Sequence, residues 1–450
     1  MHKVRQFYSN LRSSFWFLPS LMVISSIAFA VAFIEADSAG TDRWLSQWPR
    51  LFGVGAEGAR QMLSTLAGSM MTVMGITFSM TLLALVLASS QYTSRILRNF
   101  MRSRVTQATL GVFAGLFAYC LIVLRTIRGG GGVDEFVPSL AVFFGLVMSL
   151  GGVVILIYFI HHIASSIQAS SIIASVAQET NASIDRLLPN KLDLGPDEDE
   201  GRNQVLELLD KRTWYPVPAT ESGYIQSANI DALLRLAGDS RTIVRMEHGI
   251  GAFVVQNTAL VSLALTYPPD QKTIDALNGA YSIGRHRTVD QDPAFGIRQI
   301  VDMAMKALSP GVNDTSTAVM CVDYLTSILA RLAGRQFPPS YRYEGETLRV
   351  VAIVPSFEDL LAEAFDQIRG SAEVNVAILV RMLGAFDTIG SLTIRPSHLR
   401  ALDEQLQWIA EVADRCIKSS HDRAWLERRL SEARETLEAQ SALCAGEEKV

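Results

Sequence analysis

Four long apolar segments, at 15–34, 66–89, 106–124 and 136–160, constrain this chain more than any other feature. Each is long enough to cross a hydrocarbon core of about 30 Å as a helix. Lipid offers the backbone no hydrogen-bond partner, so a spanning segment has to be helical. The expectation is an α-helical membrane domain of about four transmembrane helices over 1–163. Lys3, Arg5 and Arg12 before the first segment imitate a signal peptide. That segment exceeds a usual signal-peptide core, and further apolar segments follow it, so the first helix is retained.

Lysine and arginine near the segment ends set the orientation. Lys3, Arg5 and Arg12 precede the first segment, and Arg95, Arg98, Arg102 and Arg104 fill the link between the second and third. Glu35, Asp37 and Asp42 follow the first, and Asp134 and Glu135 precede the fourth. The arginine-rich link is therefore expected inside, with both termini cytoplasmic. Arg125 and Arg128 on the outer side weaken the contrast without reversing it. Residues 44–60, with Trp44 and Trp48, are expected along the outer interface, where tryptophan sits well.

The second segment carries a pattern of its own. Ser64, Gly68, Thr72, Gly75 and Ser79 follow at steps of four, four, three and four, which puts them on one helical face. Small and hydroxylated side chains in a membrane helix either let helices approach closely or line a wetted pore. Beyond them Arg95, Arg98 and Arg102 share a face, as an anchor for lipid headgroups or a basic ring at the inner mouth of a pore. No acidic residue or lysine lies near the middle of a spanning segment, which argues against a proton-coupled transporter.

After the membrane segments the pattern changes. Residues 164–212 read as a helical and acidic linker, with Asp193, Asp197, Glu198, Asp199 and Glu200 in its turn-rich part. Residues 213–268 read as short strands with glycine turns, a small β module resembling half of a barrel-sandwich hybrid. Carriers of that fold need a lysine at the hairpin tip, and the corresponding turn here is Glu247-His248-Gly249. Residues 269–450 read as a mainly helical domain with a β-hairpin near 341–355. Together these give a cytoplasmic mixed α/β domain. Asp292-Pro293 marks a helix start, Asp314 or Thr315 caps the next helix, and Ser356 with Asp359 opens another.

Arg285, His286, Arg287, Asp290, Asp292 and Asp314 form the densest polar set in the cytoplasmic part. They read as a hydrogen-bonded corner with helix caps, or as oligomer or anion contacts made by the arginines. The chain lacks GxSxG, HExxH, a P-loop and a GxGxxG after a strand, so no catalytic residue is assigned. A net charge of −5 over 450 residues argues against a nucleic-acid partner. Four scattered cysteines without a CxxC pair read as reduced thiols, and neither a metal site nor a cofactor is expected.

Nearly the whole chain resembles a bacterial family of membrane proteins known only as a domain of unknown function. The resemblance rests on the stretches FSMTLLALVLASSQYTSRILRNFM from Phe78, DPAFGIRQ from Asp292, ALSPGVND from Ala307 and PSFED from Pro355. It implies a membrane N-terminal part and a cytoplasmic C-terminal part in the bacterial inner membrane, and it supplies no activity. The partners expected are the lipid bilayer, further copies of the chain and inorganic ions. Three functions remain open: a homo-oligomeric ion channel lined by the second helix, a membrane-anchored sensor or scaffold, and an enzyme acting on lipid headgroups.

Overall fold

The computed structural model describes residues 16–38, 55–91, 104–129, 136–166, 168–188 and 202–447. The chain divides into two compact units, Met1–Ile172 and Ile173–Val450.

The first unit holds four long helices: α1 (Phe17–Ser38), α2 (Ala56–Gln91), α3 (Arg104–Thr126) and α4 (Ser139–Ser166). Helices in lipid gain little from burying apolar surface, so close backbone approach decides which of them pack. Gly111 and Gly115 on α3 supply it. A Cβ on Gly111 would lie 2.7 Å from the sulfur of Met22, and one on Gly115 would lie 2.5 Å from the hydroxyl oxygen of Ser26. Both neighbours belong to α1. Gly115→Ala is expected to lower the stability of the full chain in mild detergent by about 1 kcal/mol, read as a lower midpoint of thermal unfolding. An unchanged or higher midpoint would show that α1 does not seat there.

The opposite side of α3 packs against α2, where Ala59, Leu63, Ala67 and Met70 join Phe113, Leu116 and Tyr119 in one core. Polar links tie the helix ends. The Asp37 carboxylate accepts the amide N–H groups of Leu140 at 3.2 Å and Ala141 at 3.1 Å, in the first turn of α4. A carboxylate there satisfies amides that no helical carbonyl reaches. Tyr119 donates its hydroxyl to the carbonyl of Ala141 at 2.8 Å. Arg60 donates to the carbonyl of Ile127 at 3.0 Å. Of the segment 44–60, residues 56–60 belong to α2, anchored by buried Ala56 and Ala59 and by that arginine bond. Residues 44–54 lie outside the described residues.

The second unit begins within α5 (Ala169–Leu187), followed by α6 (Arg202–Asp210). Next come β1 (Tyr215–Pro218), β2 (Gly223–Ala228), α7 (Ile230–Asp239), β3 (Val244–Met246), β4 (Phe253–Val254), β5 (Ala259–Leu263), α8 (Gln271–Gly279) and β6 (Tyr281–Gly284). The chain continues with α9 (Pro293–Ala307), α10 (Thr315–Ala333), β7 (Tyr341–Glu344), β8 (Thr347–Val351), α11 (Phe357–Ser371), α12 (Val376–Ser391), α13 (Pro396–Cys416) and α14 (Ser420–Glu447).

The strands form a five-stranded sheet, β1-β5-β3-β8-β7, and a three-stranded one, β4-β2-β6. The hairpin of β7 and β8 is part of the larger sheet, because β8 lies parallel to β3 with Val350 opposite Val244. The caps at Asp292, Asp314 and Ser356 stand where the sequence placed them, and Asn229 is a further one; each accepts an amide of the helix it opens. Among the described residues, five helices are long and apolar enough to cross a membrane: four in the first unit and α10. Helix α10 buries Ala318, Cys321, Val322, Leu325, Ile328 and Leu329, and it packs on α9, α11 and α12.

Candidate functional site

Two places in the molecule gather the residues singled out from the sequence. The first is the outer face of α2. Ser64, Gly68, Thr72, Gly75 and Ser79 are all exposed, and among the described residues nothing beyond the helix's own backbone lies within 4 Å of where a Cβ would stand on Gly68 or Gly75. The opposite face carries the buried residues Leu63, Ala67, Met70, Thr77, Thr81 and Ala84. Among the described residues of the first unit, the small-residue stripe therefore does not serve helix packing. An open hollow of about 430 Å³ lies along it, lined by Thr72, Gly75, Ile76, Ser79, Met80 and Leu83. Thr72 donates its hydroxyl to the carbonyl of Gly68 at 3.0 Å. Arg95, Arg98 and Arg102 lie outside the described residues.

The second place is the corner before α9. Arg287 clasps Asp292, with both Nε and Nη2 2.8 Å from Oδ2. Oδ1 of Asp292 accepts the amide of Phe295 at 3.1 Å, capping α9. The carboxylate is only 5% exposed, while the arginine keeps 27% of its side chain in solvent and lies over the Phe295 ring at 5.1 Å. Burial pushes the Asp292 carboxyl up from its ordinary pKa, and the neighbouring Arg287 pulls the other way. Gly251 closes the corner. Its φ is +87°, a conformation that favours glycine, and a Cβ there would collide with the Arg287–Asp292 pair.

The other members of the polar set go elsewhere. Asp290 pairs with Arg186 of α5 at 3.4 Å, both largely exposed. Arg285 and His286 are exposed, and the carbonyl of His286 accepts the side-chain amide of Gln226 at 2.7 Å. Asp314 serves its own helix, accepting the Thr317 amide at 3.0 Å and hydroxyl at 2.6 Å, which holds its carboxyl below the usual range. Both oxygens of Asp292 are thus engaged in holding structure, and neither is presented as a base or nucleophile. Among the described residues, no three His, Cys, Asp or Glu side chains converge as a metal site requires.

Sequence reasoning missed the partners that α5 brings to this corner. Ser183 is buried and donates to the carbonyls of Val289 at 2.7 Å and Asp290 at 3.1 Å. Thr180 is fully buried and lies against Gly296, so closely that a Cβ on Gly296 would overlap its side chain. A polar helix with Ser and Thr on its buried face gives little warning of such a role.

The chain's kinship spans both the membrane helices and the α9 corner. A family model described as "Predicted membrane protein (DUF2254)" matches residues 12–388. The chain belongs to this family. The DUF2254 match takes in the four helices of the first unit, both sheets and most of α12, and it ends before α13. Uncharacterized proteins of Mycobacterium bovis and Mycobacterium tuberculosis are each 31% identical to it over 402 residues, covering 86% of this chain and 74% of theirs. No solved structure matches the chain. As a DUF2254 member with several long apolar helices, it is a multi-pass membrane protein.

Proposed function

We propose that this protein is a homo-oligomeric ion channel of the bacterial inner membrane, with α2 lining the pathway through Ser64, Gly68, Thr72, Gly75 and Ser79. The observation that carries the reading is the outward position of the whole stripe. A face turned to lipid alone gains nothing from hydroxyls and glycine. A face turned to water or to another copy gains hydrogen bonds and close approach. In this reading four of the five apolar helices cross the membrane and both termini are cytoplasmic. Helix α10, packed among the helices of the second unit, stays outside the bilayer. The β module is a structural part of the cytoplasmic domain. The headgroup-enzyme alternative finds no support at Asp292, whose oxygens are both committed.

The test is ion flux through proteoliposomes containing the purified protein, with Thr72→Leu and Ser79→Leu beside it. Flux through the wild type is expected, reduced about tenfold or more by either leucine while the oligomer stays intact by light scattering. A monomer in mild detergent, or flux indifferent to both leucines, would refute the pore on α2. Absence of flux under varied ions, voltage and membrane tension would favour a membrane-anchored sensor or scaffold.

A further inference from the structure

The face that α2 turns inward changes chemistry part-way along the helix. Its outer half carries Ala59, Leu63, Ala67 and Met70, in one core with Phe113, Leu116, Cys120 and Val123 of α3. The same face continues through Thr77 and Thr81 to Ala84. On α3 the stripe of Val123, Cys120, Leu116 and Phe113 likewise continues to Thr109 and Thr106, at steps of three and four.

The two changes fall at the same level. Arg60 bonds the carbonyl of Ile127, so the start of α2 lies beside the end of α3 and the two helices are antiparallel. Equal rise along both then sets Thr77 and Thr81 level with residues 106–110 of α3. Thr77, Thr81, Thr106 and Thr109 are all buried, none more than 7% exposed. Thr77, Thr81 and Thr109 donate their hydroxyls to the carbonyls of Met74, Thr77 and Val105 in their own helices, each at 2.8 Å. These three hydroxyls therefore lend no proton across the seam, while their oxygens can still accept from water. Hydroxyls bonded back in this way also favour bending of the helix that carries them.

Gly75 stands between the apolar half and the threonines, and among the described residues nothing beyond the helix's own backbone lies within 4 Å of where its Cβ would be. Beyond the seam, Ala84 joins Phe159 and Ile163 of α4 in a small cluster separate from the outer core. In a bilayer, lipid chains replace such apolar contacts when helices part, so a cluster of this size is a weak hold. We infer that the threonine seam is a gate: α2 bends at Gly75, its inner half parts from α3, and water enters between Thr77, Thr81, Thr106 and Thr109. The bend depends only on the packing of the first unit, whereas its service as a gate rests on the channel reading. The same swing displaces Ser79, at the inner end of the pore-lining stripe.

Modification by a charged, membrane-impermeant thiol reagent tests this on the full chain in lipid nanodiscs. Thr77→Cys and Thr109→Cys are the probes, one on each side of the seam, and either suffices if the other fails to fold. Cys416→Ser and Cys444→Ser remove the half-buried thiols, and Cys120, fully buried in the outer core, is the internal standard. Both probes are expected to react about tenfold or more faster than Cys120. Gly75→Ala should slow them about fivefold by stiffening the helix. Gly68→Ala, equally free of neighbours but in the outer half, should not. Probes as slow as Cys120 would overturn the gate. So would rates indifferent to Gly75→Ala, or slowed as much by Gly68→Ala. The readout involves no flux, so probes that react in a protein passing no ions would keep the bend and refute the channel.

Discussion

Gly296→Ala should destabilise the full chain by about 2 kcal/mol, although alanine is the better helix former by about 1 kcal/mol. The two effects oppose each other, and geometry decides between them. Gly296 lies within α9, where its Cβ would stand 2.9 Å from Cβ and 3.0 Å from Cγ2 of Thr180, and nearer still to its hydroxyl. Threonine cannot easily turn away. It is β-branched, fully buried, and its hydroxyl is bonded to the carbonyl of Val176 at 2.7 Å. Relief therefore requires α5 and α9 to separate. Thr180→Ala in the same chain removes the hydroxyl and the methyl while leaving Cβ, so the double variant should recover about half of the loss. Denaturant unfolding in mild detergent, read by tryptophan fluorescence, measures all four chains of the cycle. A Gly296→Ala protein more stable than wild type would mean that helix propensity wins and the helices are not pressed together.

Local features of this fold are legible in the sequence because their causes are local. Asp292-Pro293, Asp314 and the Ser356/Asp359 box cap helices that begin within three residues, so the pattern and the bond it makes are read together. The order of strands is not local. That β8 joins β3 depends on Val350 finding Val244 across three helices, and no turn signal records it. The early start of α2 is hidden in the sequence for a related reason. Ala56 and Ala59 look indifferent in sequence, yet their small size lets α2 start early against its neighbours.

The candidate sites show the same division. The Ser64–Ser79 stripe was visible as one helical face, but its direction was not. Lipid and protein are equally apolar, so Leu63, Ala67 and Met70 opposite it suit either environment. Only the packing on α3 turns the stripe outward. Asp37 read as a charge flanking α1, whereas it caps α4. The polar set from Arg285 to Asp314 is a neighbourhood in sequence. In space it resolves into one buried pair, one exposed pair with α5 and a separate helix cap.

That buried pair sets the remaining expectation. Arg287→Met should cost about 3 kcal/mol near pH 8, and the cost should shrink as pH falls toward 5. Methionine keeps the packing on Phe295 but leaves Asp292 ionised in a site 5% exposed, bonded to the Phe295 amide. The Asp292 carboxyl is already raised by burial, and the charge of Glu363 pushes the same way, against the pull of Arg287. Removing that pull raises it further. A carboxyl whose folded pKa lies above its unfolded value of about 3.9 binds more protons folded than unfolded between the two. Its favourable contribution is complete at low pH and is lost as pH rises through the folded value. The variant therefore lags the wild type most at high pH and catches up as Asp292 takes a proton. Adding Asp292→Asn keeps an N-cap oxygen and removes the charge, so Arg287→Met/Asp292→Asn should recover much of the loss and show no such pH dependence. Unfolding free energies of the three chains from pH 5 to 8 measure this. A difference from wild type that stays flat with pH would mean that Asp292 is not held ionised by Arg287, and that Gly251 closes over a neutral carboxyl.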